Sequence, residues 1–179
     1  MKNTTLRDAC ALVHQQAEET NLSQMLVTGQ MDQKSWATFV YNLRPIYSTI
    51  ESRNFFELPE LNRTSALISD YTANCTDNNI PIIVPSVNLY TSYLSCLDSN
   101  SIWSAVYVHY MGDLYGGQMI ASKIPWQASY LKFTNRANCI DYVRQNTINT
   151  SPILAIESFK WIIQIYNEIY QLIRPSTSG

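Results

Sequence analysis

Histidine is almost missing from this 179-residue chain: His14 and His109 are the only two. A metal cage built from imidazoles is therefore excluded. There is no H-E-x-x-H spacing, and Cys10, Cys75, Cys96 and Cys139 are too scattered to assemble a four-ligand zinc cluster with them. No CxxC pair and no secretory leader are present, so the four thiols are expected to be reduced, each acting as a small buried hydrophobe. No window approaches eighteen consecutive apolar residues, which excludes a membrane-spanning helix. A formal charge of -2 supplies no global positive field to hold a nucleic-acid backbone. Neither G-x-G-x-x-G nor a P-loop occurs, so no resident flavin or nicotinamide is expected. These absences describe a cytoplasmic protein that binds neither nucleic acid nor membrane.

Apolar residues are plentiful, at 46 % of the chain, and recur every three to four positions. The only strand-like alternation is "IPIIVP" at 80–85. The fold class read from this periodicity is all-α, a single domain over 1–179. Its helical core is expected over about 4–172, followed by a frayed polar tail at 174–179. Thr5 and Asp8 form a capping-box start to a first helix that runs to about Thr20, with Leu6, Cys10, Val13 and Ala17 as its apolar stripe. A short second helix ends near Gly29, and Asp32 caps a third through about Arg53. Pro45 is expected to kink that third helix near 41–45. Further helices are expected over 59–74, 86–98, 100–123, 135–147 and 151–173.

One segment strains this pattern. "HYMGDLYGGQMIASK", residues 109–123, carries three of the five glycines in otherwise helical sequence, which costs a helix roughly 3 kcal/mol relative to alanines. Gly112 and Gly116 share a face, with Gly117 beside them. Close helix packing is one explanation. The other is a helix thinned so that a flat molecule can lie on its backbone, with Asp113 projecting nearby. A second feature is "VHQQAEE", where Glu18 follows His14 by one turn. That spacing orients an imidazole for metal ligation, and it equally suits a surface pair that merely supports the helix.

Together, "VHQQAEET" and "YMGDLYGGQM" resemble the biliverdin-producing heme oxygenase family. The similarity continues through "GQMDQKSWATFVYNLRPIYSTIE", "LPELNRTSALISDY", "VPSVNLYTSYL" and "IIQIYNEIY", from about residue 4 to 172. The resemblance implies an all-α heme-oxygenase-like multihelical fold. In it, heme lies between a proximal N-terminal helix and a kinked, glycine-rich distal helix. Carried over, His14 is the proximal ligand of the heme iron and Glu18 its hydrogen-bond partner. Gly112, Gly116 and Gly117 bring distal backbone to the porphyrin. Asp113 and Tyr47 hold the distal water that supplies the proton for oxygen activation. Arg144 pairs with a heme propionate, Arg7 offers a second cation, and Tyr107 and Phe159 line the pocket.

Four positions depart from the family pattern. His109 stands where arginine is common, Tyr115 where a small residue separates the aspartate from the paired glycines, and Ile140 and Ala11 where lysines occur. For His109, a solvated position and a pocket role both remain open. The resemblance implies that heme is both cofactor and substrate, that molecular oxygen is consumed, and that biliverdin, carbon monoxide and ferrous iron leave. Electrons then come from outside, from ferredoxin or another reductase. Between Leu114 and Ile156 four cations (Lys123, Lys132, Arg136, Arg144) stand against Asp141 alone, which suits an acidic ferredoxin as well as a plain solvated face. The compact chain looks similar to heme oxygenases of viruses that infect marine cyanobacteria. That implies biliverdin supplied in the host cytoplasm to a downstream bilin reductase for pigment synthesis, with iron scavenging as the competing purpose. A non-catalytic heme carrier or sensor is the alternative on the same fold, and a thiamin-salvage hydrolase would need a pocket cysteine in place of the proximal histidine.

Overall fold

A computed structural model of the protein describes residues 5–53, 56–76 and 79–174. Among them the chain forms α1 (Leu6–Glu18), α2 (Asn21–Thr28), α3 (Gln33–Glu51), α4 (Thr64–Asn74), α5 (Pro85–Cys96), α6 (Trp103–Lys123), α7 (Arg136–Asn146) and α8 (Pro152–Ile173). Two single 3-10 turns, Pro59–Leu61 and Ser129–Leu131, complete the regular structure, and no strand occurs among the described residues. The tail at 175–179 lies outside them, as do residues 1–4.

The helix starts follow from side-chain caps. Thr5 accepts from the Asp8 backbone amide while the Asp8 carboxylate accepts from the Thr5 amide, a reciprocal box at the head of α1. Asp32 accepts from Ser35 N at 2.7 Å to open α3. α2 ends at Gly29, whose φ of +72° suits a residue without Cβ. The same glycine has a second reason to be bare, because an added Cβ would sit 2.7 Å from the Lys123 carbonyl oxygen at the end of α6.

Two boundaries differ from the sequence expectation. The 59–74 stretch divides into the Pro59–Leu61 turn and α4, since the Glu51 carboxylate reaches across to cap the α4 amides of Arg63 and Thr64. α6 begins at Trp103, after Asp98 accepts from the amides of Asn100 and Ser101 and organises a preceding turn. α3 runs through Pro45 as one helix. The "IPIIVP" alternation forms no strand: buried Asn42 donates to Ile82 O and accepts from Val84 N, so two of the segment's backbone polar groups are satisfied by a side chain.

α3 packs against α4 and α5, α6 against α7 and α8, and α1 lies on α8. The main core gathers Trp36, Phe39, Tyr47, Tyr90, Tyr110 and Tyr130 with aliphatic residues from α2 to α8. Buried Asp70 pins the Ser129–Leu131 turn by accepting from the amides of Ser129 and Tyr130 at 2.8 and 2.9 Å. A smaller cluster joins Cys10, Val13 and Ala17 of α1 to Val108 of α6 and to Ala155, Phe159 and Ile162 of α8. This second cluster is what holds α1 beside α6. None of the four cysteines is in a disulfide; Cys10 and Cys139 are buried as expected, but Cys96 is exposed at the end of α5 and Cys75 only partly covered.

Candidate functional site

The glycines of α6 serve two different purposes. A Cβ added at Gly112 or Gly116 would meet nothing within 4 Å, so this face of the helix borders open space. A Cβ added at Gly117 would lie 2.9 Å from Leu131 Cδ2, inside the core. Gly117 is therefore a close-packing glycine. Expected with the other two to contact the ligand, it instead turns its α-carbon toward Leu131.

Asp113 follows Gly112 and turns toward α3, where Tyr47 Oη donates to its Oδ2 across 2.5 Å. Burial raises the carboxyl pKa to about 7, while the Tyr47 hydrogen bond and the Arg63 charge pull the other way. Such a group exchanges its proton near neutral pH. The phenols of Tyr47, Tyr110, Tyr130 and Tyr166 surround it, and all four are pushed up by burial first, then by the Asp113 charge for Tyr47, Tyr130 and Tyr166 and by the Glu51 charge for Tyr110. They remain proton donors. Tyr110 stacks obliquely on Tyr47 at 5.2 Å and donates to Glu51 Oε1 at 3.1 Å. Glu51 in turn accepts from the Arg63 and Thr64 amides at 2.5 and 3.1 Å. A buried polar cluster thus extends from Asp113 to the start of α4.

His109 resolves to the interior. It is 6 % exposed, its Nε2 lies 3.2 Å from Tyr90 Oη, and its ring meets the Tyr47 ring edge-on at 5.6 Å. The solvated alternative is corrected. Burial lowers its pKa to about 3, so it is neutral and supplies no positive charge there.

On α1, His14 is half-exposed and meets Phe159 of α8 edge-on at 5.5 Å. Glu18 Oε1 is 3.6 Å from His14 Nδ1, an ion-pair distance that is too long for the expected hydrogen bond. Both side chains are more than half exposed, and that solvation explains the loose approach. Phe159 belongs to the small cluster that joins α1, α6 and α8, with Tyr107 partly buried against it. Arg7 is exposed and acts electrostatically on the Tyr107 phenol.

The rim beside Gly116 carries a group of charges. Arg144 Nη2 donates to Tyr115 Oη at 2.5 Å, and the guanidiniums of Arg136 and Arg144 lie 5.5 and 5.8 Å from the centre of the Tyr115 ring. Ile140 is buried in the main core, so this position lends the rim no charge.

Sequence reading missed Tyr110, Tyr130, Tyr166, Glu51, Arg63 and Arg136 as neighbours of the site. Two of them had a signal: Tyr110 precedes Asp113 by three positions on α6, and Glu51 follows Tyr47 by four on α3, both same-face spacings. The others arrive by tertiary contact and leave no local trace. Among the described residues, no three His, Cys, Asp or Glu side chains gather as a metal cage. No helix there is long and apolar enough to cross a membrane.

Comparison with known proteins bears on this arrangement. Residues 2–140 match the family model described as heme oxygenase. Heme oxygenases of the red algae Porphyra purpurea and Pyropia yezoensis are each 26 % identical over 130 residues, 64 % of this chain and 55 % of theirs. The match thus spans little more than half the length of these relatives. Heme oxygenase-1 from the cyanobacterium Synechocystis in complex with heme superposes with a TM-score of 0.80 at 19 % identity, covering 93 % of this chain and 91 % of that one. Heme oxygenase-2 from Synechocystis, in complex with heme and NO, gives 0.81 at 21 % identity over 94 % and 84 %. Heme oxygenase from Leptospira interrogans gives 0.75 at 18 % identity over 91 % and 97 %. The fold is that of these structures.

Proposed function

The chain belongs to the heme oxygenase family, and from that premise we propose that it binds heme between α1 and the glycine face of α6 and cleaves it to biliverdin, carbon monoxide and ferrous iron. The observation that carries this reading is Asp113, partly buried and bonded to Tyr47, next to two glycines whose missing side chains open space along the same helix.

The residues present suit an iron porphyrin. His14 offers an exposed imidazole with Glu18 on its Nδ1 side, so its Nε2 would be the nitrogen available to a heme iron. Gly112 and Gly116 let a flat molecule approach main-chain atoms that a methyl group would hold off. When bound, heme supplies the iron at which dioxygen is activated and the ring that is oxidised. The protein's part is to hold and aim. His14 would hold the heme through its imidazole. Asp113 keeps a proton available near neutral pH, with Tyr47 fixing the direction of its carboxyl. The apolar walls from the α1–α6–α8 cluster, Phe159 and Tyr107 among them, limit water at the reacting edge.

Electrons are supplied by a separate ferredoxin or other reductase. Lys123 at the end of α6 and Lys132 beyond the Ser129–Leu131 turn are the cations of the basic stretch that suit an acidic donor, since Arg136 and Arg144 are held against Tyr115. Biliverdin then passes to a bilin reductase for pigment synthesis in the cytoplasm of a host cell, with iron scavenging as the competing purpose.

The test is the visible spectrum of the hemin-loaded protein in air with ferredoxin, ferredoxin reductase, NADPH and catalase. Decay of the Soret band with growth of a broad red biliverdin absorption is expected. A stable ferrous or oxy spectrum with two different donors would favour a heme carrier or sensor instead.

A further inference from the structure

We propose that Tyr115, together with Arg136 and Arg144, forms a carboxylate clamp at the rim of the glycine groove, and that Tyr115 thereby sets the in-plane rotation of the bound porphyrin. The inference rests on the heme reading above and concerns a position where this chain departs from the family pattern.

A disc held at its centre by one axial ligand is free to turn about that bond. Only contacts at its edge stop the rotation. Heme carries its two carboxylates on one edge, so the placement of rim donors decides which edge faces Asp113. Tyr115 lies between Gly112 and Gly116 in register, three positions after the first and one before the second, and is 49 % exposed. Its phenol oxygen accepts from Arg144 Nη2 at 2.5 Å and keeps its O–H to donate. Both guanidiniums cover its ring, and Arg136 is further anchored by its Nε donating to the Leu114 carbonyl. Among the described residues, the acid paired with Arg144 is Asp141, at 3.9 Å.

The result is a pre-arranged pair of donors, phenol O–H and guanidinium N–H, beside a second cation. A small residue at 115 would leave Arg144 on a long free stem and would lose the ordering that a planar anchor provides. Ile140, buried in the core, cannot substitute for it.

The experiment compares dissociation constants for hemin and hemin dimethyl ester in wild type, Tyr115→Phe and Tyr115→Ser. It adds the biliverdin isomer distribution and the proton NMR spectrum of the cyanide complexes. Wild type is expected to prefer the free acid, and Tyr115→Ser to reduce that ester-to-acid ratio roughly tenfold. Tyr115→Phe, which retains the ring but loses the hydroxyl, is expected to fall between them. Tyr115→Ser is expected to change the isomer distribution and to show additional heme rotational isomers by NMR. Unchanged ratios and isomers in both variants would overturn the clamp and leave heme binding standing. Absence of any Soret shift in wild type would instead overturn the heme reading on which the clamp depends.

Discussion

Tyr47 Oη donates to Asp113 Oδ2 at 2.5 Å across 66 positions of sequence, joining α3 to α6 at the point where Gly112 opens the helix face. A phenol bonded to a carboxyl whose pKa has been raised to about 7 is poised to exchange a proton near neutrality. The Asp113 environment has a consequence that needs no ligand. Its folded pKa lies above the unfolded 3.8, so the folded state holds the proton more tightly, and this contribution to stability is lost as pH rises toward 7. The melting temperature of wild type relative to Asp113→Asn is therefore expected to fall between pH 4 and 7, read by circular dichroism in matched buffers. A flat difference across that range would show that the carboxyl is ionised throughout.

His109 has the opposite sign. Its folded pKa of about 3 lies below the unfolded 6.5, so the stability it brings as a neutral side chain is present above pH 6.5 and is lost as pH falls toward 3. His109→Gln, which cannot titrate, is expected to soften acid unfolding over that window. Thermal melts of the two proteins at pH 4 and 7 make the comparison.

The glycines should separate in urea denaturation. Gly112→Ala places its methyl in open space and gains helix propensity, so the ligand-free protein is expected to be about 1 kcal/mol more stable while hemin binding weakens. Gly117→Ala drives its methyl against the buried Leu131 side chain, and overpacking of about 1–3 kcal/mol is expected to outweigh the propensity gain.

Much of this was legible in the sequence, and for physical reasons. Caps at Thr5 and Asp32, the stop at Gly29 and helical periodicity are local signals, and the helices they mark are there. The division before α4 was not legible, because the Glu51 carboxylate that caps its amides comes from twelve positions upstream. Of the site, His14, Asp113 and the glycine run stood out as spacings within one helix. Their surroundings did not. Arg63, Tyr130 and Tyr166 reach Asp113 only because the start of α4, the Ser129–Leu131 turn and α8 come together beside α6, and Ile140 gave no hint that it would be core while Arg136 took the rim.

If an acidic ferredoxin is the electron donor, Lys123→Glu with Lys132→Glu is expected to slow ferredoxin-driven turnover severalfold at low salt. The same pair is expected to leave turnover with ascorbate unchanged. Equal rates with ferredoxin would place the docking surface elsewhere.

The most direct measurement is the biliverdin yield of Asp113→Ala under ferredoxin, ferredoxin reductase and NADPH, with hemin affinity determined on the same sample. Hemin is expected to bind with near wild-type affinity through His14 while biliverdin formation falls by about 100-fold, the usual scale for removal of a proton-transfer group. Wild-type yield of biliverdin from this variant would contradict the role assigned to Asp113.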